Sequence, residues 1–366
     1  MSDNSDNTPL LQVKDLVHEF RTDLGTVHAV SGVSFDVRAG ETLGIVGETG
    51  SGKSTLARSI VQAPRPTSGA VVFRGADLVT LRGTRLLQAR RHLQMVFQDP
   101  FGSLDPKWRV RDLVEEPLIA YRAGDRGARR QRVDEVLELV GLAGYSTRRP
   151  RELSGGQAQR VAIARAVALN PALIICDEAV SSLDVLIQAQ VLNLFERLRA
   201  ELGLSYLFIA HDLALVKQVS DRVAVMYLGK LCEVGPGEAV YRQPLHPYTR
   251  ALMSAVPVPD PVIEDRREQI LLTGDLPSPA NPPAGCRFHT RCPWRQETRC
   301  DDERPQLRVV ELPGVPDGHR VACHWAEAID RGEITPNEVA PVLVTPDDDG
   351  LGGDPFAAPA TVTEVL

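Results

Sequence analysis

Short apolar runs alternate with longer amphipathic stretches over the first two thirds of the chain. From Leu11 to about Val234, β-rich runs are followed by helical segments, which is typical of a mostly parallel α/β sheet. Three of these runs end at polar residues, namely Leu43–Val46, Ala172–Cys176 and Tyr206–Ala210. Polar groups at the carboxyl ends of such strands lie where α/β folds bind ligands, so this sheet edge is predicted to hold the functional site.

The pattern changes twice further along the chain. Between Asp105 and Glu152 the β signal disappears and helical periodicity predicts a helical insert. Proline becomes dense from Pro236 to Pro283, and this stretch leads to a cysteine-bearing module. We therefore predict a disordered lead at 1–9, an α/β domain at 10–235 with an insert at about 105–155, an extension at 236–330 and an acidic disordered tail at 331–366.

The composition of the chain argues against some classes of function but does not identify one. The chain has 366 residues, 43% of them hydrophobic and 24% charged, and a formal net charge of −7, which gives no support for a nucleic-acid binder. No apolar run approaches the length needed to span a bilayer, and Met1–Asp6 lacks the basic and apolar parts of a secretory signal. Any membrane role is therefore expected to act through partners. Six cysteines without an export signal favour reduced thiols or a metal site over disulfides.

The first of the three strands is followed by a glycine-rich stretch with the spacing of a P-loop. This stretch and the residue after it are Gly47, Glu48, Thr49, Gly50, Ser51, Gly52, Lys53, Ser54 and Thr55. In such a loop, backbone N–H groups surround nucleotide phosphates, Lys53 adds a positive charge and the Ser54 hydroxyl ligates Mg²⁺. A structural glycine turn is the alternative, but the strand before and the helix-like sequence after it favour ATP or GTP binding.

The second strand ends in the acidic pair Asp177–Glu178, which has the pattern of a Walker B motif. An Asp at this position holds Mg²⁺, often through water, and a Glu beside it orients and deprotonates the attacking water. Acidic residues also favour helix N-termini, so helix capping is the alternative. The P-loop upstream favours the catalytic interpretation, with Glu178 as the general base.

A pentapeptide between the insert and the second strand carries the most specific signal. It consists of Leu153, Ser154, Gly155, Gly156 and Gln157. Ser154 is a good N-cap for the helix that follows, and the two glycines expose backbone N–H groups at the positive end of that helix. A glycine turn before a buried helix is the alternative. As an anion site, the pentapeptide cannot easily fold onto the P-loop of its own chain.

The P-loop, the acidic pair and this pentapeptide, in this order, resemble the ATPase subunit of an ATP-binding-cassette (ABC) transporter. Gln98 is similar to the Q-loop glutamine, which senses Mg²⁺ and links the site to the membrane partner; Ser182–Asp184 resembles the D-loop. His211 resembles the switch histidine, although a satisfied histidine at a strand end is the ordinary alternative. Phe20 is similar to the aromatic that stacks on adenine, with a plain core aromatic as the alternative.

The resemblance implies a P-loop NTPase cassette of the α/β class, with a β-rich N-terminal part, a helical insert and a small cysteine-containing C-terminal module. It assigns catalysis to Glu178, His211 and Gln98. It also implies a head-to-tail pair of cassettes in which the pentapeptide of one chain contacts ATP held by the P-loop of the other. Two departures stand out, Ala158 in place of arginine or lysine and Ala179 in place of proline. Neither removes a catalytic group, so at most an altered rate or coupling is expected.

The extension narrows the transporter type. Leu245–Leu252, Gly274–Pro279 and Gly285–Pro293 resemble the C-terminal extension of dipeptide and oligopeptide importer ATPases. This resemblance implies a peripheral ATPase at the cytoplasmic face of the bacterial inner membrane, powering peptide import. Its partners would be a second ATPase, homologous or identical, two integral-membrane permease subunits and an extracytoplasmic solute-binding protein.

Two alternative functions follow from the same residues. The same architecture imports other solutes, such as nickel or an oligosaccharide. Non-transport ABC ATPases act in translation or DNA repair, but translation-type members usually carry two cassettes and repair-type members a long coiled coil. This chain has one cassette and no heptad run, which favours transport.

Four cysteines of the extension form a candidate metal site, namely Cys286, Cys292, Cys300 and Cys323. Four thiolates in a reduced compartment suit an iron–sulfur cluster or zinc. The spacings lack close C-x2-C pairs, which favours a cluster, and the family resemblance implies a 4Fe-4S cluster at matching cysteines. Zinc and free thiols remain alternatives. Cys176 and Cys232 lie on apolar strands and are predicted to be small core residues.

Overall fold

The computed structural model describes residues 8–23, 25–256, 269–272 and 274–337. Of the two predicted disordered segments, residues 1–7 and 338–366 lie outside the described residues. Among the described residues, no helix combines the length and the apolar composition needed to cross a bilayer.

The strands fall into two sheets, and most strands before residue 230 have apolar side chains at buried positions. In chain order they are β1 (Leu11–Thr22), β2 (Gly25–Val37), β3 (Thr42–Val46), β4 (Ser68–Phe73), β5 (Ala76–Asp77), β6 (Leu93–Val96), β7 (Leu173–Asp177), β8 (Ser205–Ala210), β9 (Arg222–Tyr227), β10 (Lys230–Pro236), β11 (Arg308–Val309) and β12 (Arg320–Val321).

Helices connect the strands and form most of the middle of the chain. They are α1 (Lys53–Ile60), α2 (Gly83–Arg91), α3 (Pro100–Ser103), α4 (Val110–Ala120), α5 (Arg126–Leu139), α6 (Gly155–Val167), α7 (Val185–Leu202), α8 (Leu213–Val219), α9 (Gly237–Arg242), α10 (Pro247–Ser254), α11 (Arg299–Asp302) and α12 (Ala326–Asp330), with short 3-10 helices at Pro150–Glu152 and His289–Arg291.

The smaller sheet is antiparallel, with the order β2-β1-β4-β5. The larger sheet has the order β11-β12-β10-β9-β3-β8-β7-β6. Its strands β9, β3, β8, β7 and β6 are parallel, whereas β10, β12 and β11 pair antiparallel. The α/β class and the β-rich N-terminal part are confirmed. A mostly parallel sheet describes only the part of the larger sheet from β9 to its edge strand β6, because β10, β12 and β11 pair antiparallel and the N-terminal strands form a separate antiparallel sheet.

Two hydrophobic cores cover the two faces of the larger sheet. Alternate residues of one strand point to opposite sides, so on β7 Ile174 and Cys176 join one core while Leu173 and Ile175 join the other. The first core contains the buried faces of α4, α5, α6 and α7, and the second contains α1 and the smaller sheet. Cys176 and Cys232 are buried, as predicted for core residues.

The stretch predicted as a helical insert holds α4, α5 and the 3-10 helix Pro150–Glu152. Helices α4 and α5 pack on α6, the helix that follows the glycine pentapeptide. The insert is therefore supported on the same helix whose N-terminus carries the pentapeptide. The domain boundaries themselves stay a prediction.

The extension is joined to the larger sheet instead of forming a separate module. Its strands β12 and β11 continue the sheet beyond β10. Glu233 on β10 is fully buried; it accepts hydrogen bonds from the Leu245 and His246 N–H groups at 2.8 and 2.9 Å, and lies 2.7 Å from His319 Nε2. One buried carboxylate thus connects the last large strand to the start of α10 and to the loop before β12, a link that sequence periodicity did not show.

Candidate functional site

The parallel register of β3, β8 and β7 brings three motifs to one edge of the sheet. Val46, the last residue of β3, pairs with Ala210, the last residue of β8, and Asp177 at the end of β7 pairs with Ile209. The P-loop, His211 and Glu178 therefore follow three adjacent strands at the same level. The structure brings together the polar groups that the sequence placed at strand ends.

The P-loop runs from β3 into α1 and approaches neighbouring backbone closely. A Cβ on Gly52, at φ +102°, would lie 2.1 Å from the Ala29 carbonyl oxygen, and one on Gly47 would lie 2.0 Å from that of Met226. Only glycine fits such contacts. Lys53 Nζ donates to the carbonyl oxygens of Gly47 at 2.7 Å and Glu48 at 3.0 Å, so its ammonium group lies inside the loop.

Burial perturbs the charged groups at the base of this loop. Lys53 is 4% exposed, and burial lowers its pKa although nearby carboxylates act against that shift. Burial raises the pKa of Asp177, which accepts a hydrogen bond from the Ser54 hydroxyl at 2.8 Å. The side-chain oxygens of Ser54 and Asp177 are thus adjacent, as two ligands of one small cation would be.

Glu178 lies at the junction of the other candidate residues. Its Oε2 atom accepts a hydrogen bond from Gln98 Nε2 at 3.0 Å and lies 3.7 Å from His211 Nδ1, while Oε1 lies 4.0 Å from Lys53 Nζ. Its backbone has φ +50°, in the left-handed region that non-glycine residues seldom adopt. The structure holds one carboxylate within reach of an amide, an imidazole and an ammonium group.

A cavity of about 620 Å³ opens above these groups, which is an adequate size for a nucleotide. Phe20 is 40% exposed and lines this cavity, with its ring centroid 4.6 Å from that of His18. The lining also includes most of the P-loop and a residue from the extension; its members are Phe20, Val27, Ala29, Thr49, Gly50, Gly52, Lys53, Ser54, Thr55, Gln98, Glu178, Ser181, Ser182, His211 and Pro279.

The pentapeptide lies at the N-terminus of α6, apart from this cavity. Ser154 Oγ accepts from the Gln157 N–H at 3.3 Å, and Gln157 Oε1 accepts from the Ser154 N–H at 3.0 Å, which forms a capping box. A Cβ on Gly156 would lie 2.5 Å from Ile187 Cγ2 on α7, whereas Gly155 has no contact shorter than 3.5 Å. None of residues 154–157 is among the described residues that line the cavity.

The two departures from the family pattern are both buried. Ala158 is 0% exposed and Ala179 is 1% exposed, and both belong to the first hydrophobic core. Ala158 therefore fills a space between packed helices. A long charged side chain at position 158 would have to leave this core to reach solvent.

The four cysteines of the extension line one small cavity. Cys286, Cys292, Cys300 and Cys323 are free thiols around a space of about 10 Å³, which holds about one water molecule. Burial raises the pKa of Cys286 to about 11 and that of Cys323 to about 12. Within the described ranges, no group of three or more His, Cys, Asp or Glu residues is placed to hold a metal ion. The four cysteines line one cavity, but they do not form the ligand geometry of a single metal ion.

Among the described residues of the extension, Tyr248, Pro279 and Arg291 contact the nucleotide site, and sequence reasoning missed them. Arg291 Nη1 lies 2.8 Å from Glu48 Oε2, Tyr248 Oη accepts from the Glu48 N–H at 2.9 Å, and Pro279 lines the cavity. Their partners are distant in sequence, so no spacing pattern signals these contacts. Tyr248 and Arg291 lie within stretches that were recognised only as markers of the family extension.

Two regions of the chain match known protein families. Residues 30–181 match the family described as ABC transporter, and residues 232–300 match the oligopeptide/dipeptide transporter C-terminal region. Among solved structures, the ATP-binding cassette MJ0796, a dimer in a post-hydrolysis state bound to ADP and Pi, is 30% identical with a TM-score of 0.57, over 62% of this chain and 98% of that one. The cassette cbiO1 from Clostridium perfringens is 29% identical with a TM-score of 0.58, over 64% of this chain and 91% of that one.

Curated relatives match most of the chain. The YkfD protein of Bacillus subtilis (strain 168) is 51% identical over 321 residues, which cover 86% of this chain and 95% of the relative. The oligopeptide transport ATP-binding protein AppF of the same strain is 49% identical over 307 residues, 83% of this chain and 92% of the relative. The chain therefore belongs to the ATP-hydrolysing, ATP-binding subunits of ABC transporters that carry the oligopeptide/dipeptide transporter C-terminal region.

The close approach of Gly156 to Ile187 generates a test of local packing. Gly156→Ala should lower the free energy of unfolding by about 1–3 kcal/mol, because the added methyl group overlaps the Ile187 side chain. Urea denaturation measures the loss. In an Ile187→Ala background, where the overlap is absent, Gly156→Ala should cost less than in the wild-type chain. Gly155→Ala, with its nearest atom at 3.5 Å, should also cost less. Equal losses in the two alanine variants would contradict the steric explanation.

Proposed function

We propose that the chain binds ATP in the 620 Å³ cavity and uses its hydrolysis to power the import of dipeptides or oligopeptides across the bacterial cytoplasmic membrane. The position of Glu178 carries the proposal, because its carboxylate lies beside the P-loop lysine, Gln98 and His211. The peptide substrate is supported by AppF, an oligopeptide transport protein, and by the matching C-terminal region.

Each side chain of the site has a role that its position supports. Lys53 and the P-loop N–H groups bind the phosphates, and the exposed Phe20 ring stacks on the adenine. Glu178 orients the attacking water and takes its proton, and His211, 50% exposed at the cavity wall, contacts the terminal phosphate. Gln98 donates a hydrogen bond to Glu178, so the position of Gln98 depends on whether a nucleotide occupies the site.

Ser54, Asp177 and Gln98 would hold Mg²⁺ together with phosphate oxygens. The ion would offset the negative charge that develops on the transferred phosphoryl group. The hydrogen bond between Ser54 and Asp177 shows two hard oxygen donors already side by side. Asp177 is 3% exposed, so a cation would also compensate the cost of burying its charge.

The pentapeptide acts on the nucleotide of a second ATPase, homologous or identical to this chain. Ser154 and Gly156 lie at the positive end of α6, apart from the cavity that contains Lys53. In a head-to-tail pair this helix end would face the ATP held by the partner. The MJ0796 cassette, similar in fold, was solved as a dimer.

The general base is tested by Glu178→Gln. ATP turnover should fall by about 100-fold or more, since the amide cannot accept the proton from water, while ATP affinity should stay within about threefold. Turnover is measured by phosphate release and affinity by equilibrium dialysis. Because the trapped ATP would hold two chains together, light scattering should detect a dimer with ATP in the variant alone. Wild-type turnover would show that another group acts as the base.

A groove between the insert and the sheet is the docking surface for the permease subunits. It has a volume of about 560 Å³ and is lined by β6, α4 and α6, including Phe97 beside Gln98. Phe97 is 42% exposed, so this large apolar side chain beside Gln98 is available for a partner to cover. The ATPase would thus sit at the cytoplasmic face of the membrane as a peripheral subunit, served by an extracytoplasmic solute-binding protein.

Filling this groove should separate docking from catalysis. Ala120→Arg places a large cation in the groove lining, so recovery of integral-membrane subunits from cross-linked cells should fall by about tenfold, with ATP affinity unchanged. Ala128→Arg on the exposed side of α5 is the matched control.

If wild-type chain recovers no membrane subunits, a translation or repair ATPase is favoured instead. Mass spectrometry of the recovered complex and uptake assays would distinguish peptides from nickel or an oligosaccharide.

We infer that the four cysteines bind a metal centre, a 4Fe-4S cluster in the first place and zinc as the alternative. The support is the convergence of Cys286, Cys292, Cys300 and Cys323 on one cavity. A cluster uses thiolates that lie farther apart than the four ligands of one ion, and the described residues form no single-ion group. The present 10 Å³ space has to widen by side-chain movement to receive it.

The metal content of anaerobically purified chain distinguishes a 4Fe-4S cluster from zinc and from free thiols. We expect about four irons and four sulfides per chain, lost in Cys292→Ser and kept in Cys176→Ala, because Cys176 is a core residue away from this cavity. One zinc per chain would support the alternative. Neither metal in freshly isolated chain would leave the thiols free and contradict the proposal.

A further inference from the structure

Glu48 of the P-loop makes contacts through its N–H group, its carbonyl oxygen and its side chain. Its N–H donates to Tyr248 Oη at 2.9 Å, its carbonyl oxygen accepts from Lys53 Nζ at 3.0 Å, and its side chain pairs with Arg291 at 2.8 Å. Two of these partners belong to the C-terminal extension, and the third is the P-loop lysine itself. The orientation of this one peptide therefore affects where the lysine ammonium group lies.

The two partners in the extension are themselves fixed by burial. Tyr248 is 0% exposed, and its ring centroid lies 4.7 Å from that of Tyr227 and 5.3 Å from that of Phe288. The Arg291 side chain is 10% exposed and its guanidinium carbon lies 6.0 Å from the Tyr227 ring centroid. A partly buried ion pair with a fixed arginine constrains Glu48 more than an exposed surface pair would.

The stretch between Tyr248 and Arg291 also lies against the nucleotide site. The His28 N–H donates to the Pro279 carbonyl oxygen at 2.9 Å, and Pro279 lines the nucleotide cavity. Leu276 Cδ2 would lie 3.5 Å from a Cβ on Gly50, which is ordinary van der Waals contact. The extension thus contacts the P-loop at Glu48, lies near Gly50 and supplies part of the cavity wall.

We propose that the C-terminal extension holds the P-loop in its nucleotide-binding conformation, with Arg291 and Tyr248 as positioning residues that act through Glu48. The inference rests on the proposed nucleotide site around Lys53. Without Arg291, the Glu48 side chain loses its partner and the Glu48 peptide is held by Tyr248, Lys53 and the Ser51 N–H group alone. The loop then samples conformations that do not bind phosphates, and the apparent affinity falls with the populated fraction.

The test compares ATP affinity and turnover in the purified full chain. Arg291→Gln should weaken ATP binding by about 5- to 20-fold, measured with a fluorescent ATP analogue, while kcat at saturating ATP changes by less than about twofold. Arg291→Lys keeps the positive charge and should recover part of the affinity. Arg295→Gln is the control, because Arg295 pairs with Asp301 at 2.6 Å within the extension and does not reach the P-loop. Thermal unfolding of each variant separates a positioning effect from a loss of folded protein.

Coupling between the two partners gives the sharper measurement. If Arg291 acts through Glu48, the double variant Glu48→Gln with Arg291→Gln should bind ATP no more weakly than either single variant. Additive losses, or wild-type affinity in Arg291→Gln, would overturn the inference. Lys53→Ala tests the underlying site separately. Loss of ATP binding in Lys53→Ala together with wild-type binding in Arg291→Gln rejects only the role of the extension, whereas wild-type binding in Lys53→Ala rejects the nucleotide site itself.

Discussion

The parallel pairing of β3, β8 and β7 is the constraint on which the rest of the site depends. Because Val46 pairs with Ala210 and Asp177 with Ile209, the segments after these strands begin at one level of the sheet. A shift of one residue would turn the strand-end side chains to the opposite face. Register is strongly fixed here, since both faces of these strands are buried in hydrophobic cores. Ordinary apolar packing thus determines the distances among the charged groups.

At this edge of the sheet, the Glu178 carboxylate is the group that the other candidate residues surround. Its neighbours are Gln98, Lys53 of the P-loop and His211 after β8, which come from three separate segments of the chain. The pentapeptide is not part of this arrangement, because none of residues 154–157 is among the described residues that line the cavity and α6 packs against α7. The nucleotide cavity and the pentapeptide thus lie at separate places on one chain, as the proposed head-to-tail pair of ATPases requires.

Local patterns in the sequence predicted the strand ends, the P-loop and the cap of α6, because each depends on neighbouring residues. The attachment of the extension was not predictable in this way. Strands β11 and β12 have two residues each, too short for a period, and the Glu233 contacts join segments far apart in the chain. The four cysteines were predicted to form a metal site from their residue type, their spacing and the family resemblance, and the structure places them around one cavity. Ligand geometry, in contrast, is not encoded in spacing alone.

The extension is bound to the sheet by contacts that resist small displacements. Glu233 is a fully buried carboxylate whose partners lie on two other segments, and breaking any of them leaves a polar group unsatisfied in the interior. Arg291 directly precedes Cys292, within the short segment that also carries Cys286. The same arginine contacts Glu48 of the P-loop. The short segment around Arg291 therefore reaches both the cysteine cavity and the P-loop.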